Sequence, residues 1–275
     1  GSTGPGSTAP GDTAPGSTGP GGTELGSTGP GDTGPGEAPL GNGASGEGVP
    51  GWLTQLARSA AGMSVPLPLR PPPGGGRRAA ILILFGDGPG GPDLLLVQRS
   101  PWLRRHAGQP AFPGGAIDET DGGPVPAALR EAAEEARVDP AGVEVLAVLP
   151  ELYIMRSGFS VTPVLAWWRD PVPVAPGDPM EITAVARVRI AELADPANRV
   201  TMRYPTGPGG PAFRVRGMLV WGFTAMIVDR LLAIGGWERP WDAASVEDLP
   251  PEVLQGAIGG RIGPSGDDSA AGREG

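Results

Sequence analysis

Phe112-Pro113-Gly114-Gly115, then Asp118 and Asp121, then Ala127-Ala128-Leu129-Arg130-Glu131-Ala132-Ala133-Glu134-Glu135-Ala136: from this stretch the rest of the chain can be read. The glycines permit positive φ and close approach of the backbone to a neighbour. The ten residues that follow have the composition of a helix. At about 100° per residue, Leu129, Ala132, Ala133 and Ala136 share one face and Glu131, Glu134 and Glu135 the opposite one. Glu131 and Glu135 stand at i, i+4, where like charges cost a few tenths of a kcal/mol. A helix that gathers three carboxylates turns them to water or to a cation, and a hard cation wants clustered carboxylate oxygens. Taken alone the helix reads as a solvated acidic face; the glycine loop ahead of it, with Asp118 and Asp121 as caps or further ligands, shifts the reading toward a binding site.

Outward from this segment the chain organises itself. Trp52, Leu53, Leu56, Ala57 and Ala60 recur at helical spacing, which predicts a short amphipathic helix over 51–62. A Pro-rich linker, Pro66 to Pro73, follows. Two apolar runs, Ala79–Phe85 and Leu94–Val97, flank the turn-rich segment GDGPGGPD and read as a hairpin. The acidic helix is expected from about Val125 to Val138. Strands are expected at Val143–Leu149, Val161–Trp168, Ile182–Arg189 and Phe213–Val215, with Pro205–Pro211 a loop and a last helix from about Val220 to Ile234. Strands around an embedded helix, closed by a terminal helix, predict an α/β fold with α/β/α layering.

Residues 1–40 repeat every five positions, as in GSTGP, GSTAP and GDTAP, and such a composition predicts a disordered tail over 1–50. A folded domain is expected over 51–245 and a weakly structured tail over 246–275. All seven Trp lie beyond residue 50. Cysteine is absent, which excludes disulfides, thiolate metal sites and cysteine nucleophiles. His106 is the only histidine, so a multi-histidine zinc site is excluded and a metal must be held by oxygen, which favours Mg²⁺ or Mn²⁺. Every basic residue is arginine, which excludes Schiff-base chemistry and a P-loop lysine. The net charge of −9 argues against nucleic acid as a partner. No segment has the length of apolar residues, about 20, that spans a bilayer, and no secretory segment opens the chain. A cytoplasmic protein is expected, with no membrane partner; a homodimer is left open.

The segment from Gly115 through Val138 resembles the Nudix box, a glycine loop leading to a helix that reads R-E-x-x-E-E, with Arg130, Glu131, Glu134 and Glu135 on those positions. Asp121 lies six residues after Gly115 and Arg130 nine further on, one more than usual, and that extension is similar to the coenzyme A pyrophosphatases within the family. Upstream, Leu95-Leu96-Val97-Gln98-Arg99-Ser100, Arg104 with Gly108, and Phe112-Pro113-Gly114-Gly115 resemble the extended motif of the same subfamily. Ser157-Gly158-Phe159, Thr162-Pro163-Val164, Glu181 and Trp221-Gly222-Phe223-Thr224-Ala225 also look like it. Arg137 departs from the pattern, because it stands where the box usually has glycine after the helix.

The resemblance implies a Nudix-like α/β/α sandwich with a mixed sheet and a metal-dependent diphosphatase. Its substrate would be coenzyme A or an acyl derivative, cut to 4′-phosphopantetheine and adenosine 3′,5′-bisphosphate. Glu131 and Glu135 are the first-choice ligands for Mg²⁺ or Mn²⁺, with Glu134 next. The general base would be Glu131 or Glu181. Arg130 is expected to orient the acidic cluster by ion pairing. Arg99 and Arg104 are candidate phosphate contacts, since a guanidinium fork matches phosphate geometry, and Gly114 and Gly115 would bring backbone close to the substrate. Trp167-Trp168 reads as core and surface cover rather than an adenine platform. The alternatives are a Nudix hydrolase of another nucleoside diphosphate derivative, such as ADP-ribose or a dinucleotide, and a catalytically silent nucleotide-binding module.

Overall fold

The two apolar runs around the GDGPGGPD turn pair as a hairpin. Arg77–Gly88 (β1) and Gly91–Arg99 (β2) are antiparallel, with Phe85 opposite Leu94 and Gly88 opposite Gly91. In the computed structural model, which describes residues 48–103, 106–205, 209–251 and 253, this hairpin is the centre of an eight-stranded sheet. Pro110–Ala111 (β3), Gly114–Ala116 (β4), Val143–Val148 (β5), Leu152–Ile154 (β6), Phe159–Trp168 (β7) and Ile182–Arg189 (β8) complete it. β1 and β7 run parallel, from Arg77 beside Phe159 to Phe85 beside Trp167; the other pairings in this sheet are antiparallel, so the sheet is mixed.

Side chains on the central strands alternate between two cores, as a period of two demands in a sheet covered on both faces. Ala80, Leu82, Leu84, Leu95, Val97, Val164, Ala166 and Trp168 belong to one; Ile83, Phe85, Leu94, Leu96, Leu165 and Trp167 belong to the other. The helix Gly51–Ala61 (α1) seals the second core through Leu53, Leu56, Ala57 and Ala60. The helix Pro124–Ala136 (α2) covers the first with Ala127, Ala128, Ala132 and Ala136. Ile190–Ala194 (α3) and Gly222–Ile234 (α4) join α1 on the second face. The expected α/β/α layering is therefore observed. No helix among the described residues is long and apolar enough to cross a membrane.

Three regions depart from the sequence reading. Arg199–Arg203 (β9), Gly210–Val215 (β10), Met218–Val220 (β11) and Val246–Asp248 (β12) form a separate four-stranded sheet in the order β11-β10-β9-β12. β10 thus begins inside the segment expected as loop. β12 lies in the segment expected as weakly structured tail; it pairs in parallel with β9, and Leu249 is buried beside Val200, Met202 and Ala212. At the other end Val49 packs on the second core and Pro50 precedes the first turn of α1, so those two residues join the domain rather than the tail. The pentapeptide repeats and residues 254–275 lie outside the described residues.

Candidate active site

Helix α2 starts with Pro124 at its first turn, where the missing N–H costs nothing, and Gly123 ahead of it has φ 144°. It ends at Ala136, two residues before the expected end, because Arg137 takes the left-handed conformation with φ 57°. The Arg137 N–H then reaches the Ala133 carbonyl and the Val138 N–H the Ala132 carbonyl, while Val138 is buried below them, the bonding of a glycine-type helix end. A side chain there costs about 1–2 kcal/mol. Arg137 offsets part of that by donating from Nε to the Pro176 carbonyl and from Nη2 to the Gly177 carbonyl, both at 3.3 Å. Gly177 is itself required to be small: a Cβ would overlap the Glu134 carbonyl.

Glu135 does not face water. It is 5 % exposed and points toward the glycine loop, where its Oε2 accepts the Gly114 N–H at 3.0 Å and its Oε1 the Arg99 Nη1 at 3.1 Å. The helical-wheel expectation of one acidic face is corrected accordingly. The buried stripe is Ala127, Ala128, Ala132, Glu135 and Ala136, and Ala133 is only half-buried. Glu135 can sit in that stripe because a guanidinium and a backbone N–H satisfy both of its oxygens. Burial pushes its carboxyl up to about 7; Arg99 and the Gly114 N–H work against the rise, and the nearby charges of Glu131 and Glu181 add to it.

Glu131 and Glu134 are organised by Arg130. Its Nη1 donates to Glu131 Oε1 and Glu134 Oε2, both at 3.0 Å. The other edge of the guanidinium is clamped by Asp121, from Nε to Oδ1 at 2.8 Å and from Nη2 to Oδ2 at 3.0 Å, and Nη2 also reaches the Ala116 carbonyl. Such two-point pairing fixes orientation as well as charge. It holds the Asp121 carboxyl below its ordinary range and the Arg130 guanidinium above its own. Asp121 was expected as a cap or ligand. It caps, accepting the Asp118 N–H, and it also anchors Arg130, which the wider spacing between Gly115 and the helix still allows. Glu131 is half-buried against Gly115, where a Cβ would stand 2.6 Å from its Cδ, and burial raises its pKa.

The structure thus brings Arg99, Gly114, Gly115, Arg130, Glu131, Glu134 and Glu135 together. Glu181 is exposed and borders the group, since its carbonyl accepts the Ser100 N–H at 2.7 Å and its charge bears on Glu135. Arg104 lies outside the described residues. Trp167 and Trp168 are buried in the two cores. Sequence reasoning missed the contact of the 175–177 segment with the end of α2, where Gly177 N–H bonds the Glu135 carbonyl; a glycine between prolines at 176 and 179 gives no such signal. No three acidic or histidine side chains among the described residues converge as a ready-made cation site. Guanidiniums instead occupy oxygens of Glu131, Glu134 and Glu135. The donor set still suits a hard divalent cation: three neighbouring carboxylates, two of them disfavoured as anions by burial, so that a bound cation would offset that penalty.

An α/β/α sandwich whose glycine loop feeds an arginine-ordered carboxylate helix defines a hydrolase site for diphosphates. The NUDIX domain model matches residues 76–205. The "Uncharacterized Nudix hydrolase NudL" of Klebsiella pneumoniae subsp. pneumoniae is 42 % identical over 162 residues, which cover 54 % of this chain and 78 % of the relative. The like-named protein of Escherichia coli K12 is 41 % identical over 152 residues, covering 52 % and 76 %. The chain belongs to the Nudix hydrolase family, a class of enzymes that act on nucleoside diphosphate derivatives and generally use divalent metal ions. Among solved structures, a Nudix hydrolase from M. smegmatis, RenU, is similar at 24 % identity over 61 % of this chain and 91 % of that one, with a TM-score of 0.42.

Proposed function

We propose that this Nudix hydrolase cleaves the diphosphate bond of coenzyme A or its acyl derivatives, releasing 4′-phosphopantetheine and adenosine 3′,5′-bisphosphate. The observation that carries the reading is the folding of the upstream motif onto the glycine loop. The Arg99 N–H bonds the Gln109 carbonyl at 3.0 Å, the Gly108 N–H bonds the Ser100 carbonyl at 3.2 Å, and the Gln98 side chain bonds the Gly108 carbonyl. Residues 98–100 are thereby held against 108 and 109, and Arg99 reaches Glu135, whose other oxygen accepts the Gly114 N–H. Among the described residues the buried Arg99 Nε–H has no acceptor, and an anionic substrate oxygen would supply one.

A Mg²⁺ or Mn²⁺ ion held by Glu131 and Glu135, with Glu134, would neutralise charge on the phosphoryl oxygens and activate water. Arg130, clamped by Asp121, holds Glu131 and Glu134 in place. Gly114 and Gly115 let the backbone meet the diphosphate closely. The proton of the attacking water would go to Glu131 or to Glu181.

A substrate panel tests the reading. Coenzyme A is expected to exceed 3′-dephospho-coenzyme A by roughly 10–150-fold in kcat/KM, the worth of one charge-assisted hydrogen bond to the 3′-phosphate, and Arg99→Ala or Arg104→Ala should shrink that ratio. Equal rates on the two, or faster cleavage of ADP-ribose, would overturn the coenzyme A assignment and leave the chain a Nudix hydrolase of another nucleoside diphosphate derivative.

A further inference from the structure

Two arginines serve the three carboxylates of α2, and they are held differently. Arg130 is gripped by both oxygens of Asp121, by the Ala116 carbonyl, and by Glu131 and Glu134. Arg99 makes one ion pair among the described residues, from Nη1 to Glu135 Oε1 at 3.1 Å. It continues the row of Leu95 and Val97 that faces α2, as the period of two along β2 requires. Its side chain is 26 % exposed and that of Glu135 5 %, so the arginine has room to move and the carboxylate does not.

Glu135 is anchored from the other side as well. Its Oε2 accepts the Gly114 N–H at 3.0 Å, and Gly114 is fixed by its pairing with Ile81 in the sheet. A divalent cation held by Glu135 would therefore share a stationary carboxylate with the Arg99 guanidinium. Two positive charges on one buried carboxylate repel, and the more so where water is excluded. Arg130, locked by Asp121, cannot withdraw from such a contest; Arg99, with its single ion pair, can. A phosphate oxygen between guanidinium and cation reverses the sign, because it attracts both. The Arg99 Nε–H, without an acceptor among the described residues, gains one in the same move.

We infer that Arg99 couples the cation to the substrate: it opposes a cation at Glu135 while no diphosphate is bound, and turns to a phosphate oxygen once one is. The inference rests on the reading of Glu135 as a cation ligand and adds to it that cation and diphosphate bind together rather than independently. By linkage, the factor by which the diphosphate tightens the cation is the factor by which the cation tightens the diphosphate. The coenzyme A assignment is not involved, since every nucleoside diphosphate derivative carries the group that Arg99 would meet.

Calorimetric titration of the full chain with Mg²⁺ tests it, alone and with the methylene-bridged, uncleavable analogue of ADP, corrected for Mg²⁺ that the analogue binds in solution. The titrations are run at pH 8.5, above the range in which the Glu135 carboxyl takes up its proton. In the wild type the analogue should tighten Mg²⁺ by about 5–150-fold, the usual range of coupling between sites. Arg99→Gln should tighten Mg²⁺ without the analogue and shrink the gain that the analogue brings. Arg99→Lys keeps the charge and should stay near the wild type in both. Melting curves give a second readout: Arg99→Gln should melt below the wild type in EDTA, and saturating Mg²⁺ should narrow the gap. Weaker or unchanged Mg²⁺ binding by Arg99→Gln overturns the inference and leaves Arg99 a support for Glu135. No tightening by the analogue in the wild type overturns it without any variant. Mg²⁺ binding that Glu135→Gln leaves unchanged sinks the reading of Glu135 as a ligand, and the inference with it.

Discussion

The two faces of the central sheet are covered by helices of opposite character. On one face α2 meets the strands with Ala127, Ala128, Ala132 and Ala136. On the other, α4 does so with Ile227, Val228, Leu231 and Leu232, and the aromatic rings of Trp52, Phe85 and Trp237 interlock edge to face, Trp52 and Phe85 at 5.6 Å. Methyl side chains bring a helix backbone close to a sheet. That closeness lets Glu135 span from α2 to the Gly114 N–H and presses Glu131 onto Gly115. Bulky side chains hold the helix further off and tile the space imperfectly, and on that face a ligand-sized volume remains. Chemistry sits on the tight side and open volume on the loose side, each following from side-chain size.

The sharpest way to break this contrast is to remove the charge that the tight side carries. Glu135→Gln keeps the size and can still accept from Gly114. It should lower kcat by at least 100-fold, about 2.7 kcal/mol of transition-state stabilisation, while the melting temperature shows the fold intact. Near-normal turnover of that variant after EDTA treatment and restoration of Mg²⁺ would mean that the carboxylate is structural only. A smaller effect is expected from pH. Burial lifts the Glu135 carboxyl to about 7 in the folded chain, above its ordinary 4.5. Across pH 4.5–7 the folded chain therefore holds a proton that the unfolded chain has released. Metal-free stability from this group is full below that window and lost as the pH rises through it, by roughly 3 kcal/mol at most. Urea titrations without metal should show the decline, and Glu135→Gln should flatten it.

Next in size is a change in the spacing itself. Ala132→Leu adds volume beneath α2, and overpacking costs about 1–3 kcal/mol. Because it lifts the carboxylates off the glycine loop, turnover should fall along with stability. A stable variant with unchanged turnover would show that helix-to-sheet distance is not what positions the site. The least effect is expected at the end of the helix. Arg137→Gly relieves the left-handed strain and forfeits the two bonds to the 176–177 carbonyls, so its melting temperature should shift by only a few degrees, within about 1 kcal/mol. A large loss would show that these bonds do more than offset strain.

Much of the architecture was legible because its signals were local. The GDGPGGPD turn between apolar runs marked the hairpin, and Ile182–Arg189 was read at its observed limits. The ion pairing of Arg130 followed from its place among the three glutamates. What escaped was non-local. The second sheet is made of strands of three to six residues whose buried members, such as Val200, Met202 and Ala212, alternate too briefly to stand out. The wheel of α2 placed Glu135 opposite the alanines because a wheel cannot see Arg99, thirty-six residues upstream, or the Gly114 N–H, which together make a buried carboxylate tolerable.

The parallel pairing of β1 with β7 also sets the order in which the chain can assemble. About eighty residues separate the two strands, so closing that loop carries an entropic cost that the β1–β2 hairpin does not. On a ribosome the hairpin can close as soon as Arg99 emerges, yet the long edge of β1 has no mate until Phe159–Trp168 has been synthesised. During that interval a row of free backbone donors and acceptors, flanked by Leu82, Ile83, Leu84 and Phe85, is open to a neighbouring nascent chain. The strand at the heart of the finished enzyme is, for that time, an open edge to which another chain can add.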